Sequence, residues 1–313
     1  MHRREFLTMG ASASAAALAP HWLWAQAAAT KPDRAAQMRA AAANTPIRTT
    51  KLYDNLYLLQ GAGGNMAVQT GPEGKLLIDS SFATAVPRLR EAIAALGNDP
   101  ADALINTHWH IDHTDGNEGM HAAGFQIIAH QMTRERLAKP AEMKLLGLSL
   151  PAYPDAALPV ITFDSAMHAW HNGDSIDLVH FEPAHTDTDI YIHFHNADVI
   201  HAGDVWFNGF YPFIDEGTGG SIGGTIRADE KILAIAGPNT KIIPGHGPLG
   251  TRAELQQFRD MLSGVRDRVA GLKQSGLTEQ ETIAKKPIAE FDPVWNKSGG
   301  STDMFVGIVY RTV

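Results

Sequence analysis

The hexapeptide HWHIDH, residues 108–113, holds four side chains that can bind a metal ion: His108, His110, Asp112 and His113. Burying several polar rings side by side is costly unless a partner compensates them. Imidazole nitrogens and carboxylate oxygens together suit Zn²⁺ and some other first-row ions. The hexapeptide therefore predicts a metal site.

The elements around this hexapeptide must position its side chains. The preceding ADALINT is short and apolar, which predicts a buried strand. If the chain stays extended beyond it, His108 and His110 project to one side and can bind one ion together. Asp112 and His113 are adjacent, and the turn-forming residues of HTDGN follow the strand, so this pair could serve a second ion.

Three further positions in the second half have the character of site residues. They are His185 in EPAHTDTD, Asp204 in IHAGDVW and His246 in IIPGHGP. Each follows an apolar or β-rich run and stands among Gly, Pro, Thr or Asp, which is typical of a loop at the end of a strand. Each position alone is weak evidence, and their order along the chain strengthens it.

The ordered set HWHIDH, AHTDTD, AGD and PGHG resembles the metallo-β-lactamase superfamily, over residues 50 to 260 or so. The resemblance implies an α/β fold, the four-layer αββα sandwich, with the metal site at one edge between the two sheets. It also implies two Zn²⁺ ions and seven ligands: one ion held by His108, His110 and His185, the other by Asp112, His113 and His246, and Asp204 bridging both.

The resemblance further implies a dizinc hydrolase, in which a hydroxide between the ions attacks a carbonyl and Asp112 orients that nucleophile. The substrate would be a small β-lactam-like amide, lactone, ester or thioester. Asp204 stands where the β-lactamase subclasses carry Cys or Ser, which disfavours β-lactam hydrolysis. Two alternatives stay open: a mononuclear-iron enzyme resembling persulfide dioxygenases, and a non-catalytic zinc-binding accessory protein.

Other residues have a functional interpretation and a structural one. Asp79 and Asp189 would orient ligand imidazoles by accepting their second N–H, or would simply cap strand ends. The segment 206–224 would form an apolar wall of the substrate pocket, with core packing as the alternative; its pocket candidates are Trp206, Phe207, Phe210 and Tyr211. Tyr191 and Tyr211 are the candidates for a phenol near the oxyanion, and GAGGN, residues 61–65, would be a hairpin loop near the site.

The N-terminus begins MHRREFLTMG and continues through small and apolar residues to Ala25-Gln26-Ala27. This pattern predicts a signal peptide of the twin-arginine type over residues 1–27, with an ordinary amphipathic helix as the alternative. We expect a periplasmic or secreted protein without a membrane anchor after signal removal. Residues 28–48 would form a loosely packed leader, and residues 49–313 a single hydrolase domain.

Composition limits the partners and the chemistry. The chain has 313 residues, 44% of them hydrophobic, and a formal net charge of −8. It has no basic stripe, which disfavours nucleic acid and leaves a small-molecule substrate as the expected partner. It has no cysteine, so thiolate ligands and Cys nucleophiles are excluded. Residues 140–159 are apolar but rich in proline, which favours a lid or an interaction surface over a regular element, and the oligomeric state stays open.

Overall fold

Two β-sheets carry the fold, which a computed structural model describes for residues 33–296 and 301–313. The predicted signal peptide, residues 1–27, and the first part of the predicted leader, residues 28–32, lie outside the described residues. Residues Arg34–Val313 form one compact unit.

The elements follow one another in two halves. The first half contains α1 (Arg34–Ala42), β1 (Arg48–Lys51), β2 (Leu56–Gln60), β3 (Met66–Gln69), β4 (Lys75–Ile78), α2 (Val86–Ala94), β5 (Ala101–Ile105), α3 (Ile111–Thr114), α4 (Asn117–His121), β6 (Gln126–His130), α5 (Gln131–Leu137), β7 (Ala141–Met143), β8 (Leu148–Leu150) and β9 (Ile161–Phe163). The second half contains β10 (Ala166–His171), β11 (Asp174–His180), β12 (Ile190–Phe194), β13 (Val199–Phe207), α6 (Ile222–Ile235), β14 (Lys241–His246), β15 (Gly250–Thr251), α7 (Arg252–Gln274), α8 (Glu279–Ala284), α9 (Asp292–Trp295) and α10 (Thr302–Thr312).

Each half of the chain supplies one sheet. The first sheet has the strand order β1-β2-β3-β4-β5-β6-β9, antiparallel from β1 to β4 and parallel from β4 to β9. The second sheet has the order β10-β11-β12-β13-β14-β15. Its described pairs are antiparallel except for the parallel pair β13 and β14.

The two sheets pack face to face, with helices outside them. Leu58 and Ile78 of the first sheet share a buried cluster with Ile192 and Ile243 of the second. Helix α2 packs on the outer face of the first sheet, whereas α6 and α7 pack on β13 of the second. This arrangement confirms the predicted four-layer αββα sandwich. Among the described residues, no helix has the length and apolar composition that crossing a bilayer requires.

Burial along the strands follows from these layers. Strand β4, KLLI, is buried at all four positions because it lies between a helix layer and the other sheet. Strands β11 and β12 instead alternate between fully and partly buried residues along most of their length. That alternation is typical of a sheet with one solvated face. Continuous burial is therefore found in a strand covered on both faces, and alternating burial in strands with one solvated face.

The predicted loosely packed leader is wrong for the part that the structure describes. Residues Arg34–Ala42 form helix α1, in which Ala35 and Ala42 are buried against Trp109 and Met143. The guanidinium of Arg39 donates to both carboxylate oxygens of Asp115, at 2.9 and 2.6 Å. The alanines that made the segment look featureless are the small side chains that let this helix approach the domain closely.

The proline-rich segment 140–159, for which a lid or an interaction surface was predicted in preference to a regular element, is partly regular. It contains the hairpin of β7 and β8, and Met143, Leu148 and Leu150 are buried in the same cluster as the alanines of α1. Pro140 precedes the first strand and Pro151 follows the second, so neither removes a hydrogen-bond donor from the ladder.

Candidate metal centre

Strand ends of both sheets bring the predicted ligands together. His108 and His110 follow β5, Asp112 and His113 lie in α3, and His185 lies in the loop between β11 and β12. The remaining two are His246, the last residue of β14, and Asp204, within β13.

Asp204 lies within its strand rather than at its end because β13 is irregular. The register between β13 and β14 shifts on both sides of Gly203, whose φ of +58° is in the left-handed region. Gly245, next to His246, approaches Asp204 so closely that a Cβ there would lie 1.9 Å from Oδ1 of Asp204. A glycine is therefore required at position 245 for these strands to present both ligands.

The seven side chains form two groups. In the first group one ligand atom from each of His108, His110, His185 and Asp204 lies within 4.8 Å of the others. In the second group the same holds for Asp112, His113 and His246.

Asp204 lies between the two groups. Its Oδ2 is 3.7 Å from Nε2 of His108 and 3.5 Å from Nε2 of His185. Its Oδ1 is 3.1 Å from Nε2 of His113, and its Oδ2 is 3.3 Å from Nε2 of His246. One carboxylate thus faces imidazoles of both groups, which is the arrangement that a bridging ligand requires.

Hydrogen bonds outside the centre determine which nitrogens face into it. Nδ1 of His113 donates to Asp79 (2.7 Å), Nε2 of His110 donates to Asp215 (3.2 Å), and Nδ1 of His185 donates to the carbonyl of Phe213 (2.7 Å). The opposite nitrogen of each ring is then free to bind a cation.

The arrangement fits metal ions. Nε2 of His108, Nε2 of His113 and Oδ1 of Asp204 are buried and make no well-formed hydrogen bond with the described part of the chain, although Nε2 of His113 and Oδ1 of Asp204 lie 3.1 Å apart. Because Nδ1 of His113 donates to Asp79, its Nε2 presents a lone pair to that oxygen, and a cation between the two atoms would relieve the repulsion. Nε2 of His185 lies 2.9 Å from Nδ1 of His110, so two inward lone pairs face each other unless a cation or a proton lies there. Nitrogen and carboxylate donors in this number suit borderline ions such as Zn²⁺.

The charges of the site support the same interpretation. Burial lowers the pKa of His185 to about 4. Burial disfavours the charged form of His246 as well, but the carboxylates of Asp204 and Asp112 raise its pKa to about 10. Burial would raise the pKa of Asp112, yet His113 and His246 lower it to about 2. Burial would raise the pKa of Asp204 too, but the imidazoles of His246, His113 and His108 hold it well below the usual range. Both carboxylates therefore favour the ionised form, and cations would compete with protons for the imidazoles.

Two predicted supporting aspartates have different roles. Asp79 contacts a ligand imidazole, that of His113, and also accepts from the backbone N–H and the hydroxyl of Thr107. Asp189 contacts no ligand imidazole and instead accepts from the backbone N–H and hydroxyl of Thr186. The predicted role of Asp189 is wrong because the loop turns back on itself, so that this carboxylate stabilises the backbone of the turn.

Sequence reasoning missed Asp215 and the carbonyl of Phe213. Both belong to the segment 206–224, which had been interpreted only as a pocket wall. The contacts of Asp215 with His110 and of Phe213 with His185 join residues 105 and 28 positions apart. For Asp215, the one local signal was an aspartate in a glycine-rich loop. For Phe213 there was none, because the contact uses a backbone carbonyl, which every residue has.

The aromatic pocket candidates divide into two sets. Trp206 is fully buried in the core, so its predicted place in the pocket is wrong. Phe207, Phe210 and Tyr211 line a cavity of about 310 Å³ that His246 also lines. The hydroxyl of Tyr211 donates to Asp292 at 3.0 Å, whereas Tyr191 packs against Phe181, so neither phenol is directed at the metal ligands.

Comparison with known proteins identifies the family. Residues 60–247, more than half of the chain, match the family model described as the metallo-beta-lactamase superfamily. The chain belongs to this superfamily, as its motifs predicted.

Solved structures share the fold at low sequence identity. A metallo-beta-lactamase from Pontibacter korlensis is 17% identical, with a TM-score of 0.58, over 69% of this chain and 99% of its own. The metallo-beta-lactamase DIM-1 is 18% identical, with a TM-score of 0.56, over 70% of this chain and 99% of its own. The sec-alkylsulfatase Pisa1 from Pseudomonas sp. is 19% identical, with a TM-score of 0.64, over 85% of this chain but only 50% of its own.

Proposed function

We propose that this protein is a dizinc hydrolase of small carbonyl compounds: a lactone, an ester, a thioester or a β-lactam-like amide. One observation carries the proposal. Two groups of ligands share Asp204, and their inward atoms include buried nitrogens and a carboxylate oxygen that make no well-formed hydrogen bond with the described chain. A complete set of donors for two ions favours the dinuclear enzyme over the mononuclear-iron alternative.

When bound, the two ions would supply Lewis acidity and an activated water for the attack on a carbonyl. The chain's own residues then have separate tasks. Asp79 and Asp215 hold the imidazoles of His113 and His110 in one orientation. Asp112, whose side chain is 17% exposed, is the accessible carboxylate and is placed to orient the nucleophile by accepting a hydrogen bond from it. His246 is 25% exposed, so substrate would enter on the side of Asp112 and His246.

The neighbouring structures widen the range of substrates to test. The fold hosts enzymes named as metallo-beta-lactamases and one named as a sec-alkylsulfatase. Asp204 as the bridging residue favours lactone or ester hydrolysis over β-lactam hydrolysis. We therefore place a sulfate ester beside the carbonyl compounds as an alternative.

The test is hydrolysis of a panel by the purified protein, with and without a chelator. The panel contains a lactone, an aryl ester, a thioester, a chromogenic cephalosporin and a secondary alkyl sulfate. We expect chelator-sensitive turnover of a carbonyl compound, and we expect Asp112→Asn to lose most of it while Asp260→Asn, an exposed aspartate on α7, keeps it. Turnover that survives both the chelator and Asp112→Asn would contradict the proposal.

We also propose that the protein is exported by a twin-arginine signal and acts in the periplasm or outside the cell. The support is the pattern MHRREFLTMG followed by an apolar stretch and Ala25-Gln26-Ala27. N-terminal sequencing of the protein recovered from the periplasm tests it. We expect a mature chain that begins near residue 28, and a full-length chain in the cytoplasm would contradict the proposal.

A further inference from the structure

An apolar cavity adjoins the metal centre on the side of His246. The cavity, of about 310 Å³, has a wall formed by the segment after β13 and a second wall formed by α9 and α10. Its lining includes Phe207 and Phe213 from the first wall and Trp295, Met304 and Phe305 from the second. No acidic or basic side chain other than His246 is among the described residues that line it.

Two aromatic rings connect the cavity directly to metal ligands. The ring of Phe207 stacks on the imidazole of His246, with centroids 5.0 Å apart and planes 22° apart. The ring of Phe213 lies 6.1 Å from that of His185, whose Nδ1 donates to the carbonyl of Phe213. A molecule bound at the metal centre can therefore extend into the cavity without crossing a polar barrier.

Asn296 supplies one polar atom to this apolar lining. Its amide nitrogen donates to the hydroxyl of Thr302 at 3.0 Å. Its Oδ1 is buried and has no hydrogen-bond partner in the described part of the chain.

A second cavity, lined by none of the seven predicted metal ligands, has the opposite character. It lies beside Trp109, has about 360 Å³, and is lined by Glu135, Arg136, Lys139 and Glu142. An apolar group would lose the hydration of these charged side chains if it bound there. Of these two cavities, the one beside His246 is both lined by a predicted metal ligand and suited to an apolar group.

We propose that the cavity beside His246 binds an apolar group of the substrate, an aryl ring or a branched alkyl chain, while the scissile bond lies at the metal centre. This inference rests on the proposed function for the position of the reacting bond. It identifies the preferred substrates as esters, lactones or amides with a bulky apolar substituent next to the carbonyl. Apolar burial in the cavity would supply the preference.

The experiment compares the binding of two thiol probes to the zinc-loaded full chain by calorimetry. The probes are mercaptoacetate and 2-mercapto-2-phenylacetate, which share the metal-binding groups and differ in the phenyl ring. We expect the phenyl probe to bind at least about tenfold more tightly. Equal affinities of the two probes, or no binding of either, would overturn the inference.

A matched pair of variants tests which of the two cavities binds the phenyl ring. Met304 and Met132 are both partly buried methionines, and each lines one of the two cavities. We expect Met304→Ala to reduce the preference for the phenyl probe to about threefold or less, and Met132→Ala to leave it unchanged. A preference that disappears in Met132→Ala instead would place the apolar site in the other cavity and overturn the inference.

These measurements are separable from the proposed function. Binding of the probes requires no turnover, so a phenyl preference in a protein that hydrolyses nothing on the panel would keep the cavity and reject the hydrolase. Chelator-sensitive hydrolysis of the panel without a phenyl preference would support the hydrolase and reject the apolar binding site in the cavity.

Discussion

Asp79 supports the candidate metal centre through hydrogen bonds to His113 and Thr107. It is fully buried and accepts three hydrogen bonds, from Nδ1 of His113 and from the backbone N–H and the hydroxyl of Thr107. The hydroxyl of Thr107 in turn lies 3.0 Å from Nδ1 of His108. A single carboxylate thereby orients ligands of both groups.

Replacing this carboxylate should weaken metal binding without unfolding the domain. We expect Asp79→Asn to lower zinc affinity by about 10- to 100-fold, the usual effect of losing such a partner. Competition with a chromophoric chelator measures it. The control is Asp177→Asn, because Asp177 also accepts from imidazoles, those of His168 and His195, but lies away from the centre. Equal affinities of Asp79→Asn and the wild type would contradict this role.

Gly64 allows the loop 61–65 to pass over the metal ligands. A Cβ at this position would lie 2.0 Å from Cε1 of His113, and that ring is fully buried and hydrogen-bonded to Asp79. We expect Gly64→Ala to displace His113 and to reduce turnover by about 100-fold. Gly271→Ala is the control, because a Cβ there meets nothing within 4 Å. Steady-state kinetics checks both variants, and full activity of Gly64→Ala would show that the ring can move without cost.

At the scale of elements, helix α1 supports the loop that carries the first ligands. Arg39 pairs with Asp115, two residues after His113, and Asp115 also accepts from the backbone N–H of Ala83 and the hydroxyl of Tyr153. The helix thus connects the segment before the sandwich to the turn that follows α3.

Removing the guanidinium should leave a buried carboxylate with fewer donors. We expect Arg39→Ala to reduce the free energy of unfolding by about 1–3 kcal/mol. We expect Arg266→Ala, which breaks an exposed pair with Asp267, to cost less than about 1 kcal/mol. Urea unfolding followed by circular dichroism measures both. Equal stability of the two variants would mean that α1 adds little to the domain.

Helix α6 carries a buried carboxyl whose ionisation should oppose folding. Neither oxygen of Asp229 has a hydrogen-bond partner in the described chain. Burial holds its pKa well above the usual range, despite the attraction of Arg259. A carboxyl whose pKa is raised by folding reduces stability as pH rises above its unfolded pKa of about 3.9.

Asp229→Asn removes this titration while keeping the size of the side chain. We expect a stability gain over the wild type that is near zero around pH 4 and grows to more than about 1 kcal/mol at pH 7. Urea unfolding at several pH values measures it, with exposed Asp260→Asn as the control. A gain that stays constant with pH would contradict a buried carboxyl as its cause.

At the scale of the whole molecule, the features that short motifs encode could be predicted from the sequence. The features that depend on contacts between distant segments could not. The layers and the convergence of the seven predicted ligands could be predicted because these residues lie in short motifs after apolar strands, as with His108 after β5 and His246 at the end of β14. Asp215 and the packing of α1 could not be predicted, since they depend on contacts between distant segments. The second wall of the apolar cavity also comes from residues near 295 and 304, about 50 positions beyond His246.

The most direct test of the account is the number of metal ions per chain. Mass spectrometry of the metals in purified mature protein, after dialysis against zinc and removal of the excess, gives this number. The account predicts close to two zinc ions per chain, because two ligand groups share Asp204. One ion per chain, or none, would contradict the dinuclear centre on which the proposed hydrolysis depends.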